Sequence, residues 1–133
     1  MDNTTQIATV DFRRLPDLSG VEPEPVELSG EYWTPKEKNE CKRLFFVGLN
    51  TENVVDMATG ETRELLVAQF VENVDGVARA VRNGSRRLVG IFESFAASIK
   101  TGDAFEITYL GKRKNANNNF FSDNWSVKRL ILK

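Results

Sequence analysis

The most unusual stretch of the chain pairs consecutive positive charges with aromatic rings that follow closely. Residues 109–125 read YLGKRKNANNNFFSDNW, and the side chains suited to binding are Lys112, Arg113, Lys114, Phe120, Phe121 and Trp125. Lysine and arginine neutralise phosphate groups, and exposed rings stack on planar groups such as nucleobases. The asparagines between them add amide donors and acceptors and tolerate turn conformations. The stretch therefore predicts a binding surface for a polyanion that also carries planar groups.

Each of these rings also has a structural explanation. A tryptophan at the head of a strand, where Trp125 is expected, is more often a core or lid residue than a stacking platform. Phe120 and Phe121 are adjacent, so in an extended backbone they point to opposite faces and only one of them is easily buried. The sequence leaves open which rings stack and which pack, so all three are candidates for binding.

A second group of candidates lies at the start of the apolar run KRLFFVGLN. Phe45 and Phe46 are adjacent there, so one ring is expected in the core and the other at the surface, where a covering N-terminal arm is the alternative to a bound base. The predicted contacts in this group are Lys42, Arg43 and Phe45. Lys128, a basic residue of the last apolar segment, is a further predicted contact.

Residue types on which most enzymes and metal sites depend are scarce. The chain has no histidine and one cysteine, Cys41, which removes the commonest general base and a standard structural zinc site. A lone cysteine forms no internal disulfide, which suits a reducing compartment. Glycine-rich nucleotide signatures and Ser/His/Asp or Cys/His arrangements are absent from the sequence. We therefore predict a binding protein that is not an enzyme and needs no metal and no cofactor.

Charge is distributed unevenly along the 133 residues. Residues 1–40 hold nine acidic and four basic residues, whereas residues 79–133 hold eleven basic and four acidic ones, although the net charge of the chain is −1. A basic segment of this kind favours a polyanionic partner, and chance clustering of charges on solvated faces is the alternative. No apolar run approaches the roughly 20 residues that span a bilayer, and MDNTTQIATV lacks the pattern of a signal peptide. A cytoplasmic protein without membrane contact is expected.

Apolar periodicity predicts mostly strands. A short strand is expected near residues 7–12, and a bent strand is expected through KRLFFVGLN, where Gly48 marks a bulge. ELLVAQFV follows with Leu66, Ala68 and Phe70 on one face, and ENVDG predicts a hairpin turn before the strand VARAV. Two further strands, AFEITYLG and NWSVKRLILK, close the sequence.

One helix is predicted at residues 86–99, where apolar side chains recur every three to four positions. Ser85 is the expected N-cap and Gly102 the expected C-cap. Three strands, a helix and two strands is the order of the OB-fold, a five-stranded Greek-key barrel. We predict an acidic, proline-containing arm at residues 1–30 and an OB-fold domain at residues 31–133. Tyr32 and Trp33 are expected either to staple that arm or to form a further stacking pair, and we favour the staple.

Three stretches resemble the small OB-fold single-stranded-DNA-binding proteins of bacteriophages and prophages: GEYWTPKEKNECKRLFFVG, YLGKRKN and WSVKRL. The resemblance implies non-sequence-specific coating of single strands during DNA replication and recombination, in the cytoplasm of the host if the chain is phage-encoded. Single-stranded DNA is the predicted partner and RNA is the alternative. A homo-oligomer and contacts with replication or recombination proteins are compatible with this role.

A different class of function fits the same features. A phage structural or assembly protein that uses a β-barrel as a protein–protein interaction module would equally explain the acidic arm and the exposed rings. Salt dependence separates the two hypotheses, because phosphate binding weakens steeply as salt is added and counterions are released.

Overall fold

The computed structural model describes Asp11 and residues 13–132. Within these residues the chain forms six strands and one helix: β1 Val26–Tyr32, β2 Cys41–Val55, β3 Thr62–Val74, β4 Val77–Asn83, α1 Arg86–Ser94, β5 Ala104–Lys114 and β6 Phe121–Arg129. Apart from Asp11, the strand predicted at residues 7–12 lies outside the described residues. The protein is therefore mainly β, as the sequence predicts.

The described strands form a single sheet in the order β1-β4-β3-β2-β5-β6. β1 runs parallel to β4, and every other neighbouring pair is antiparallel. The prediction of five strands in a barrel is thus corrected in two ways: the described residues contain six strands, and their sheet is not closed. The additional strand, Val26–Tyr32, begins inside the segment predicted as an arm, and its partner β4 is too distant in sequence for any local pattern to indicate the pairing.

The pairing of β1 with β4 is irregular. Its register shifts between Glu27 and Glu31, so that residues 28–30 lie opposite Ala80 alone. At Gly30 the two backbones approach so closely that a Cβ atom would lie 2.9 Å from the Cβ of Ala80. Beyond the strand, the Trp33 amide donates to the Arg82 carbonyl oxygen at 2.9 Å. The C-terminal end of β1 is therefore firmly attached to the sheet.

Two local predictions are confirmed. The register of β2 against β3 shifts between Phe46 and Gly48, which is the expected bulge. It lies where β2 passes from its partner β5 to its partner β3. Asp75 and Gly76 have φ angles of 53° and 84° and form the tight turn between β3 and β4, as an Asp-Gly hairpin requires.

The core lies between the curved sheet and α1. Phe46 and Phe92 stack with ring centroids 4.9 Å apart, and Phe70 and Phe105 meet Phe92 edge to face. The predicted face of β3 is confirmed, because Ala68 and Phe70 are buried and Leu66 packs against them. The largest fully buried side chains are Phe70, Phe92, Leu44, Leu88, Ile107, Val67 and Val81.

The helix is shorter than predicted. It ends at Ser94, and residues 95–98 form turns in which the Ser98 amide donates to the Phe95 carbonyl oxygen. Ser85 precedes the helix but makes no capping hydrogen bond with its side chain, and Phe95, not Gly102, holds the C-cap position. In the part of the chain that the structure describes, no helix has the length and apolarity needed to cross a membrane.

Candidate nucleic-acid interface

The basic and aromatic stretch at residues 109–125 is a β-hairpin for most of its length. β5 and β6 pair from Phe105↔Arg129 out to Lys114↔Phe121, so the connection is confined to residues 115–120. A register shift at Gly111, whose φ is 89°, bends the outer part of the hairpin. Lys112, Arg113 and Lys114 thus lie on a strand, where their side chains alternate between the two faces.

A groove of about 620 Å³ separates this hairpin from the start of α1. Its lining includes Arg86, Arg87, Lys112, Asn115, Phe121 and Asp123. The two arginines of α1 were not among the predicted site residues. The signal was the pair of basic residues directly after the N-cap position, but only the tertiary fold shows that the helix begins beside the hairpin.

Most positive charge around this groove is not neutralised by carboxylates. Lys112 pairs with Asp123 at 3.3 Å. For Arg86, Arg87, Arg113 and Lys114, the described residues offer no acidic side chain within ion-pair distance. Arg86 and Arg87 line the groove and remain available to attract an anion, whereas Arg113 and Lys114 lie on the hairpin outside its lining.

Asp123 is also the acceptor for the Tyr109 hydroxyl, at 2.8 Å. This hydrogen bond, aided by burial and by the carboxylate charge, raises the pKa of Tyr109 above its ordinary value of 10.0. Asp123 is thus shared between a lysine and a tyrosine at the base of the hairpin, and Tyr109 stays protonated at neutral pH.

The three candidate rings separate into two groups. Phe120 and Phe121 have 73% and 60% of their surface exposed, so their faces are accessible for stacking. Trp125 is buried, meets Trp33 and Tyr109 with its ring, and donates from Nε1 to Ser85 Oγ at 3.0 Å. Trp125 is thus a core residue, because its side chain points to the same face of the hairpin as Tyr109, and its role in stacking stays a prediction.

Lys42 lies on the core-facing side of β2, where its side chain is partly buried. Its Nζ lies 3.2 Å from Glu31 and 3.1 Å from Glu72, and it sits over the Trp33 ring at 5.8 Å. Burial opposes its charged form, but the hydrogen bonds to Glu72 and Glu31 outweigh burial and raise the pKa of Lys42 above 10.5. Two carboxylates thus hold the ammonium group of Lys42, and its contact with phosphate stays a prediction.

The remaining candidates lie on the outer face of β2, β5 and β6. Arg43 pairs with Glu106 at 3.0 Å, and Lys128 lies opposite the same glutamate in the β5–β6 register. Phe45 is 39% exposed and pairs in register with Ala104. None of these three residues lines the groove beside α1. Of the ten predicted residues, Lys112 and Phe121 line the groove, and Arg43, Phe45 and Lys128 form this separate patch.

Among Asp11 and residues 13–132 there is no group of three or more histidine, cysteine, aspartate or glutamate residues placed to hold a metal ion. No protein-family model, no curated protein and no solved structure matches this chain.

Proposed function

We propose that this protein binds single-stranded DNA without sequence preference, with RNA as the alternative ligand, through the groove between α1 and the β5–β6 hairpin. The observation that carries the proposal is the meeting of uncompensated cations, Arg86 and Arg87, with the exposed ring of Phe121 in one groove. Single-strand binding requires a cationic path for the backbone and ring faces for the bases. No chemical step is part of this activity.

The exposed rings favour a single strand over a duplex. In a duplex the faces of the bases are covered by their neighbours, so a protein ring gains a stacking partner only from an unpaired base. Phe120 and Phe121 are adjacent and both exposed on one hairpin. Phe121 lines the groove, so a base bound there has a ring face on which to stack.

The fold supports the same conclusion by analogy. Omitting β1, the strand order β4-β3-β2-β5-β6 with α1 between β4 and β5 corresponds to that of an OB-fold, and we propose that the protein is an open variant with one added strand. In OB-folds, the connections after the first barrel strand and before the last one flank the oligonucleotide. In this chain the corresponding connections are residues 56–61 and residues 115–120. The first follows the C-terminal end of β2, and the second lies beyond its N-terminal end, because β5 runs antiparallel to β2. Strand coating in replication or recombination, as in the phage proteins that the sequence resembles, is the proposed role.

The test compares labelled single-stranded and duplex oligonucleotides by fluorescence polarisation at several salt concentrations. We expect tighter binding of the single strand and a linear fall of log affinity with log salt. A triple variant of the basic residues that line the groove, R86A/R87A/K112A, should lower the magnitude of the slope by roughly 0.7 for each phosphate that it no longer neutralises. The matched control replaces two arginines and a lysine that are exposed outside the groove, Arg13, Arg14 and Lys36, by alanine. Equal slopes for the two triple variants, or no preference for the single strand, would contradict the proposal.

A second candidate function has one specific observation in its favour. The acidic segment before β1 exposes Leu15, Leu18 and Val21 by 56%, 69% and 64%, which is typical of a segment that binds another protein. A phage structural or assembly protein would use this segment and not the groove. It would bind no oligonucleotide at any salt concentration, so the titration above distinguishes the two functions.

A further inference from the structure

Arg87 connects α1 to both strands of the hairpin. From the first turn of the helix, its guanidinium donates to Asn124 Oδ1 on β6 at 2.6 Å and to Asn115 Oδ1, directly after β5, at 2.9 Å. Both acceptors are neutral amide oxygens. A full positive charge is therefore held in position at the groove by partners that do not neutralise it.

Neutral acceptors are weaker partners for a guanidinium than anionic oxygens are. Arginine forms its strongest hydrogen bonds with carboxylate or phosphate, often through two parallel N–H groups. A phosphate that enters the groove can consequently displace the amide oxygens from Arg87. A carboxylate partner would resist this exchange, and the described residues place none within ion-pair distance of Arg87.

Asn115 links this exchange to the tip of the hairpin. Its backbone amide donates to the Phe120 carbonyl oxygen at 2.9 Å, and its side-chain amide donates to Asn118 Oδ1 at 3.2 Å. The same Asn118 oxygen accepts the backbone amide of Phe120 at 2.8 Å. Two hydrogen bonds through Asn118 thus connect the Asn115 side chain to Phe120, whose ring is exposed. A movement of the Asn115 side chain therefore reaches Phe120.

We propose that Arg87 is the residue that couples phosphate binding to the position of the hairpin. In the free protein it fastens the hairpin to α1 through Asn115 and Asn124; on binding, it exchanges these amides for a phosphate and releases the hairpin tip, which carries Phe120, toward the bound strand. The inference rests on the proposed function and adds a positioning role to one side chain of the groove.

The test measures affinity and salt dependence for a labelled oligothymidylate with three variants. R87Q loses the charge, and we expect weaker binding, on the order of tenfold, with a slope smaller in magnitude by about 0.7. R87K keeps the charge but loses the planar guanidinium, whose N–H groups reach both Asn115 and Asn124. The salt dependence of its affinity should therefore have the same slope as that of the wild type. N124A removes an amide acceptor that competes with phosphate, without altering the connection at residues 115–120, so it should bind more tightly than the wild type.

Whether N124A binds the oligonucleotide more tightly or more weakly distinguishes two roles of Arg87. In one role it exchanges its amide acceptors for a phosphate, and in the other it only holds the hairpin to α1. If Arg87 acts only by holding the hairpin in place, N124A and R87Q both lose the same support and both bind more weakly. Wild-type affinity or weaker in N124A therefore overturns the inference, as does a wild-type slope in R87Q. Thermal unfolding shows that each variant is folded. A wild-type protein that fails to bind the oligonucleotide at low salt overturns the proposed function and this inference together, whereas salt-dependent wild-type binding with a weakened N124A overturns the inference alone.

Discussion

Trp33 and Trp125 meet edge to face, with ring centroids 5.4 Å apart and ring planes at 69°. Trp33 directly follows β1 at one edge of the sheet, and Trp125 lies in β6 at the other edge. Within the described residues no hydrogen-bonded ladder joins these two strands. The packing of the two indole rings therefore links the two edges of the open sheet through side chains.

Replacement of Trp125 by alanine is expected to lower the free energy of unfolding by about 3–5 kcal/mol, because it removes a buried ring and leaves a cavity against Trp33 and Tyr109. Chemical denaturation followed by circular dichroism measures this change. Phe120→Ala is the control, since that ring is 73% exposed, and its unfolding should match that of the wild type. A W125A variant that unfolds like the wild type but binds DNA weakly would instead identify Trp125 as a stacking residue.

Replacement of Phe121 by alanine should weaken oligonucleotide binding by about 1–3 kcal/mol, the usual contribution of one stacked base. Its unfolding midpoint should change little, because the ring is 60% exposed. Phe95 is the matched control, since it is also 60% exposed but follows α1 and does not line the groove. Fluorescence polarisation and thermal unfolding of both variants make the comparison. Equal affinities for F121A and F95A would show that Phe121 does not stack.

Lys42→Met is expected to destabilise the protein without weakening binding by the folded form. The substitution leaves Glu31 and Glu72 without their shared cation inside the sheet, which should lower the free energy of unfolding by about 2 kcal/mol for a partly buried pair. Lys36→Met, at an exposed position, should have no such effect. Denaturant unfolding and the salt slope are measured for both. If K42M unfolded like the wild type but the salt dependence of its binding had a smaller slope, Lys42 would instead be identified as a phosphate contact.

Acid should weaken the attachment of Trp33. Its Nε1 donates to Glu40 at 2.8 Å, and this hydrogen bond, with that of the Lys36 amide, lowers the pKa of Glu40 below 4.5. Because the folded-state pKa is the lower one, the stabilisation is complete above the unfolded-state pKa and is lost as the pH falls through the folded-state value. We expect Glu40→Gln to be less stable than the wild type at pH 7 and the difference to shrink below pH 4. A difference independent of pH, measured by denaturant unfolding, would contradict this linkage.

Local signals in the sequence predicted much of the fold. The bulge at Gly48, the turn at Asp75 and Gly76, and the buried face of β3 each depend on neighbouring residues only. The true position of Lys42 could also have been predicted locally. It alternates with the buried residues Leu44 and Phe46, so the period of two already directs it inward.

The remaining features depend on contacts between distant segments. β1 pairs with β4 across about fifty residues of sequence, and parallel pairing of this kind has no turn signature. The groove forms because α1 begins beside a hairpin that follows it in the chain, so Arg86 and Arg87 join Lys112 only in three dimensions. The charge of the site was evident from composition, whereas its geometry was not.

The register shift in β1 has a consequence for self-association. A regular, exposed edge strand is a template on which another chain can add a strand, and such edges lead to aggregation. At the centre of β1, residues 28–30 leave the regular ladder, and Glu27 and Glu31 lie on either side of the interruption. A strand approaching this edge finds no regular, continuous row of backbone partners. The register shift thus makes the β1 edge of the open sheet a poor template for the addition of a strand from another chain.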